Sequence, residues 1–192
     1  MLVLCQNTQK SYEIELIVTY KPLQTLKVYT MISNMIRCIL LSAMMLLMSF
    51  VTHSQSNKVP PFKITQVDGK VFFAGNLPLG KPIVIIYFSP DCEDCQQLTK
   101  ELLKRINELK NASIAMITSQ PKDMVKQFIF KYQLDKYSNI FIGTEEDSYF
   151  VGKYYKVGQL PFVALYNKNG DLIKIYNKDI SIEDLLIHLR TL

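Results

Sequence analysis

The unbroken apolar run Ile83-Val84-Ile85-Ile86-Tyr87-Phe88 is the strongest constraint on how this chain folds. Its β-branched residues favour extended backbone, and with no polar alternation the run suits a strand covered on both faces. Such strands belong to α/β architectures, with helices packed on each side of the sheet. Ser89-Pro90-Asp91 ends the run, and an amphipathic helix follows. Cys95, Leu98, Leu102, Ile106 and Leu109 recur there at spacings of three and four, with charged residues mostly between them. This helix is expected to end at Asn111.

The same reading extends outwards from that centre. Residues 62–65 and 70–73 flank a turn at Asp68-Gly69 and predict an N-terminal β-hairpin. Residues 76–82 predict a loop. Residues 113–118 predict a second buried strand. Pro121 opens a helix through about Tyr132, in its first turn. Residues 139–143 suggest a short strand, and residues 145–157 a loop or irregular helix. Residues 162–167 and 172–176 predict a hairpin around Asn169-Gly170. A last helix starts at Ser181, with Asp184 completing a capping box, and buries Ile182, Leu185, Leu186 and Leu189. The order is two strands, then alternating strands and helices, then two strands and a helix. It describes an α/β fold with a central mixed sheet flanked by helices.

The N-terminal part has a different character. Between Cys38 and Asn57 there is no Asp, Glu, Lys or Arg. Arg37 precedes an apolar run over residues 39–51, and small or polar residues follow it. That is the order of an export signal, and the run is shorter than the roughly 20 residues of a membrane span. Residues 35–56 are therefore expected to be a signal peptide, or a retained anchor if cleavage does not occur. Residues 1–34 are expected to be a non-native or disordered extension, with the natural start at Met31 or Met35; the alternative is a short strand around Ile14-Glu15-Leu16-Ile17-Val18. Residues 57–192 then form the domain. From residue 57 on, eighteen Lys and Arg face fifteen Asp and Glu, and no run of five like charges occurs, so charge points to no nucleic-acid partner.

Four cysteines are present: Cys5, Cys38, Cys92 and Cys95. Only the last two fall in the expected domain, and Cys92 stands where the helix begins. Unpaired N–H groups at a helix start favour a thiolate. Residues three apart in the first turn bring their Cα atoms within disulfide range. Cys95 lies on the apolar face and should be shielded, while Cys92 stays accessible. That asymmetry suits attack by Cys92 on a target disulfide and resolution by Cys95. Asp91, Glu93 and Asp94 oppose negative charge at Cys92, which favours the disulfide form and a reducing protein; alternatively these acids only cap the helix. Other readings of the pair are two inert thiols, a structural disulfide, or zinc, for which His188 is the one His that the domain adds to the two Cys. No metal and no cofactor are expected.

These residues resemble the thioredoxin superfamily, in its exported, TlpA-like or redoxin branch. The resemblance rests on the strand at 83–88, the Cys92-Glu93-Asp94-Cys95 junction, the helix after it, and Gln159-Leu160-Pro161-Phe162 before the last hairpin. It covers roughly residues 60–192. It implies a thioredoxin-like fold, a cis Pro161 beside the cysteines, and substrate pairing through the backbone of Leu160. It implies a thiol–disulfide oxidoreductase outside the cytoplasm, in the periplasm or its equivalent. Partners would be protein thiols and disulfides, with a membrane electron donor upstream and membrane contact only through an uncleaved signal. Two departures stand out. Asp91 replaces the usual Trp, and Ile86 replaces the buried acid of many relatives, leaving water or Glu101 to take the Cys95 proton. Two rival functions remain: a peroxiredoxin-like peroxidase, for which Ser89 precedes Cys92 suitably, and a binding or chaperone module without turnover. Tyr154, Tyr155 and Phe162 would line a peptide groove or, more simply, pack in the core.

Overall fold

The computed structural model describes residues 28–42 and 57–192. The chain divides into two units, Met1–Gln55 and Ser56–Leu192. In the first, residues 28–42 are helical and their apolar side chains, Met31, Leu40 and Leu41 among them, are exposed. The strand suggested near Ile14 and most of the expected signal, residues 43–56, lie outside the described residues. Among the described residues no helix is long and apolar enough to cross a membrane.

The second unit carries seven strands: β1 (Lys63–Thr65), β2 (Val71–Phe73), β3 (Ile83–Tyr87), β4 (Ser113–Thr118), β5 (Ile140–Thr144), β6 (Phe162–Tyr166) and β7 (Leu172–Asn177). Its helices are α1 (Glu93–Lys104), α2 (Lys122–Tyr132), α3 (Phe150–Tyr154) and α4 (Ile182–Arg190). The strands form one mixed sheet in the order β2-β1-β5-β4-β3-β6-β7. β3, β4 and β5 run parallel, and β6 returns antiparallel beside β3, with Phe162 opposite Tyr87. The ends of the parallel strands and the start of β6 therefore meet at one edge of the sheet, which is where the cysteines lie.

β3 is apolar throughout because each face meets its own core. Val84, Ile86 and Phe88 pack with Leu98 and Leu102 of α1, Phe128 of α2, and Leu185 and Leu186 of α4. Ile83, Ile85 and Tyr87 pack with Phe62, Ile64, Val151 and Phe162 on the other side. Each such side chain contributes about 1.5–3 kcal/mol when fully buried. Turn chemistry sets both hairpins. Asp68 Oδ1 accepts the Lys70 N–H at 3.0 Å, and Asn167 Oδ1 accepts the N–H groups of Asn169 and Asp171 at 2.8 and 3.0 Å. β1 joins β5 only because Gly143 lacks a side chain: a Cβ there would lie 2.7 Å from the Thr65 carbonyl oxygen.

Three local expectations are corrected. α1 stops at Lys104 and not at Asn111, and a 3-10 turn, Ile106–Leu109, follows. A helix to Asn111 would leave one residue to reverse the chain into β4. Pro121 stands just before the first residue of α2, at its cap, where its carbonyl accepts the Met124 N–H at 3.0 Å. The Ser181 hydroxyl accepts the Asp184 N–H at 3.3 Å, but the Asp184 carboxylate turns to Lys174 Nζ at 2.6 Å, so the reciprocal half of the capping box is replaced by an ion pair.

The segment after β5 forms a 3-10 turn, Glu146–Ser148, and then α3. It is held by Glu145, which is buried. The Glu145 carboxylate accepts the Tyr87 hydroxyl and the Val151 N–H, each at 2.8 Å. Burial first, and then this hydrogen bond, push the Tyr87 hydroxyl up to about 12, so it remains a donor at neutral pH. Glu145→Ala would leave both donors buried without an acceptor. The expected loss is about 2–3 kcal/mol in urea unfolding, and Glu145→Gln, which retains an acceptor, should lose clearly less. Equal losses would mean that this acceptor does not hold the segment.

Candidate active site

Cys92 caps α1. Its backbone is extended (φ −77°, ψ 121°), its N–H donates to the Ser89 carbonyl at 3.2 Å, and its Sγ accepts the Cys95 N–H at 3.2 Å. The sulfur thus takes one of the N–H groups that a helix start leaves unpaired. Cys92 is half-buried, whereas Cys95 is only 1% exposed and packs with Phe88, Leu98 and Leu102. Both are free thiols in the structure. Burial, and then the contact with Cys92, raise the Cys95 thiol well above its ordinary range, while a backbone hydrogen bond with Ser89 draws it down. Cys95 is therefore the thiol that stays protonated until something changes at Cys92.

Leu160–Pro161 is a cis peptide bond. Pro161 is buried and directly precedes Phe162, the residue opposite Tyr87, so it sits at the end of the sheet from which residues 88–92 leave. Its carbonyl accepts the Lys178 N–H at 3.2 Å. Leu160 is partly buried against both cores. Among the described residues its backbone groups make no hydrogen bond.

Ser89 donates its hydroxyl to the Asp91 carboxylate. Glu93 and Asp94 are exposed in the first turn of α1. Glu101 accepts from Gln97 at 2.7 Å, and six residues at about 100° each place it away from the face that carries Cys95. Arg105 and Arg190 bond to Glu108 and Glu183, where α1 and α4 meet. Phe162 is core, in ring contact with Tyr155 at 4.7 Å, and Tyr155 hydrogen-bonds Tyr166. Tyr154 packs edge-on against Tyr155. His188 Nδ1 lies 2.8 Å from the Asp184 carbonyl oxygen. Among the described residues no cluster of three His, Cys, Asp or Glu side chains is placed to hold a metal.

One residue of the site went unread in the sequence. Gln96 Nε2 donates to the Pro90 carbonyl at 2.9 Å, and its Oε1 accepts Lys131 Nζ at 2.9 Å and the Tyr132 hydroxyl at 3.3 Å. It ties the loop before Cys92 to α2. Its only local signal is its place immediately after Cys95.

Residues 77–192 match the family model described as a thioredoxin-like domain. No curated protein matches the chain significantly. Several solved structures are similar. A secreted Mycobacterium tuberculosis disulfide oxidoreductase, homologous to E. coli DsbE, is 21% identical, with 69% of this chain and 96% of that one covered and a TM-score of 0.58. A thiol-disulfide oxidoreductase from Bacteroides fragilis is 18% identical, with 70% and 98% covered and a TM-score of 0.58. An exposed lipoprotein thioredoxin of Streptococcus pneumoniae is 20% identical, with 69% and 100% covered and a TM-score of 0.54. At these identities the likeness is one of fold.

Proposed function

The chain belongs to the thioredoxin-like family, and from that premise we propose that it is an exported thiol–disulfide oxidoreductase acting as a reductase through Cys92 and Cys95. The observation that carries this reading is the inequality of the two thiols: one half-exposed at a helix cap, the other buried one turn deeper. The Cys92 thiolate attacks one sulfur of a substrate disulfide. A mixed disulfide forms and the other substrate sulfur leaves as a thiolate. Cys95 then gives up its proton to water and attacks Cys92 Sγ. The Cys92–Cys95 disulfide closes, the second substrate thiol departs, and two electrons have passed to the substrate. The unbonded backbone at Leu160, beside Pro161, supports edge pairing with an extended substrate peptide.

Direction and place rest on the sequence around the site. Asp91, Glu93 and Asp94 make an uncharged disulfide the more comfortable state of the Cys92 loop, which favours giving electrons away. The leader-like residues 35–56 support an extracytoplasmic setting, where misoxidised proteins supply disulfides and a membrane dithiol donor would restore the reduced pair. Equilibration with glutathione tests the direction. A potential near about −120 mV, that of a strong oxidant, would overturn it.

Cys95 also sets a pH dependence. Its thiol is raised above the ordinary value of 9.0, so the folded dithiol keeps a proton that the unfolded chain releases. The resulting stability is complete below about pH 9 and is lost as pH rises further. Urea midpoints of the reduced protein should fall more steeply above pH 9 than those of Cys95→Ala. Parallel curves would contradict the assignment.

A further inference from the structure

The end of the sheet opposite the dithiol carries a concave pocket of about 380 Å³. It lies where β4 and β5 begin: Ser113, the first residue of β4, and Asn139, just before β5, both line it. Lys81, Lys110 and Lys136 also line it, together with Asn107 and Ser138, and no carboxylate does. Among the described residues Lys81 and Lys110 make no ion pair or hydrogen bond, and Lys136 bonds only the neutral Gln133 amide oxygen. Three uncompensated ammonium groups around a concavity repel one another and concentrate anions. An ammonium is a compact point charge suited to phosphate oxygens, and the Asn107 amide and Ser138 hydroxyl add neutral donors.

The surroundings indicate how such phosphates are presented. An adjoining groove shares Pro78 and Lys81 and is lined further by Leu79, Lys168 and Val59. Leu79 is 96% exposed, an apolar loop tip among lysines. The domain also begins here. The Asn57 carbonyl accepts the Leu172 N–H at 2.6 Å, and the Val59 N–H donates to the Gly170 carbonyl at 3.1 Å. Residues 57–59 are therefore held at the lysine pole.

We propose that this pole is a docking surface for the phosphate headgroups of an anionic bilayer, with the three lysines engaging headgroups, Leu79 entering the interface, and the dithiol held facing away. The proposal is independent of the thiol chemistry. It adds a membrane contact within the domain to the one expected of the signal segment alone.

The test uses the full chain, sedimented with vesicles of phosphatidylcholine alone or with phosphatidylglycerol added. The neutral vesicles give the baseline set by the apolar N-terminal segment. Phosphatidylglycerol should strengthen binding, and the triple variant Lys81→Gln, Lys110→Gln, Lys136→Gln should lose on the order of a hundred-fold of that affinity at low salt. These side chains are exposed, so circular dichroism and dithiol reactivity should match those of the parent. Leu79→Ser should weaken binding to the anionic vesicles without changing its salt dependence. In a separate arm, inorganic phosphate is titrated while amide shifts of residues 107–110 and 136–139 are followed. Equal enhancement by phosphatidylglycerol in the parent and the triple variant overturns the proposal. So does saturable phosphate binding in a protein whose vesicle binding ignores phosphatidylglycerol, because the site would then serve a soluble phosphate.

Discussion

Cys92→Ser is expected to abolish disulfide reduction, by about a thousand-fold or more, while Cys95→Ala yields a protein that attacks once and stays attached. The two outcomes differ because the proposed mechanism gives the two sulfurs different tasks. Without Cys92 no sulfur is half-exposed at the start of α1, and Cys95, at 1% exposure, cannot meet a protein disulfide. Without Cys95 the first exchange proceeds, but nothing buried beneath Cys92 displaces the bound partner. Covalent adducts should therefore accumulate on Cys95→Ala and vanish on reduction. They should be absent from the double variant. The measurement is an insulin or model-disulfide turnover assay paired with non-reducing electrophoresis. A Cys92→Ser protein that retained turnover, or a Cys95→Ala protein that formed no adduct with any disulfide protein, would remove the basis of the proposed mechanism. The second result would favour a binding module whose dithiol is incidental.

The largest loss of stability is expected from Phe88→Ala. Phe88 is 2% exposed, its ring centre lies 4.9 Å from that of Phe128, and its N–H donates to the Ile117 carbonyl at 3.0 Å. It is the last residue before Ser89, whose carbonyl holds the Cys92 N–H. Deleting the ring removes buried apolar area and leaves a cavity between β3, α1 and α2. The cost should be about 3–5 kcal/mol, a large fraction of the roughly 5–15 kcal/mol that holds an ordinary domain together. Phe130→Ala is the control. Phe130 lies in the same helix as Phe128 but is 86% exposed, and its loss should shift stability by no more than about 0.5 kcal/mol. Urea denaturation of the two variants separates them directly. Similar losses would mean that the cavity under Cys92 is not what the ring fills. A milder secondary effect is expected on thiol exchange, because Phe88 supports the strand end from which the Cys92 loop departs.

Much of the domain could be read residue by residue because its signals are local. The continuous run at 83–88 announced a strand buried on two sides, and both faces do carry cores. Asp68-Gly69 and Asn169-Gly170 announced hairpins, and Gly69 and Gly170 take positive φ values of 86° and 76°. Where a signal was equally local but geometry intervened, the reading slipped. The stripe Cys95, Leu98, Leu102, Ile106 and Leu109 has helical spacing to its end, yet the chain tightens after Lys104 because β4 must start at Ser113. Periodicity records which residues face the core, and a 3-10 turn can bury Leu109 as well as an α-helix can.

The residues missed are those whose meaning depends on a distant partner. Glu145 looked like one more acid in a loop. It is buried because Tyr87, fifty-eight positions earlier, offers its hydroxyl across the sheet. Gln96 meets Lys131 and Tyr132 only because α1 and α2 pack on the same face. The lysine pole is invisible in the sequence, where Lys81, Lys110 and Lys136 are far apart along the chain.

Sequence alone determined most of the elements, the hairpin turns, the cysteine pair at a strand-to-helix junction and the place of Pro161 in the order of the chain, because hydrophobic period and turn chemistry act over a few residues. Tertiary structure decided which strand lies beside which, and so which side chains and charges meet. Parallel pairing of β3, β4 and β5 gathers their ends into two poles, and an antiparallel β6 brings Pro161 to the same pole as Cys92. Strand order is a long-range choice, made by burying both faces of one sheet, and no window of a few residues contains it.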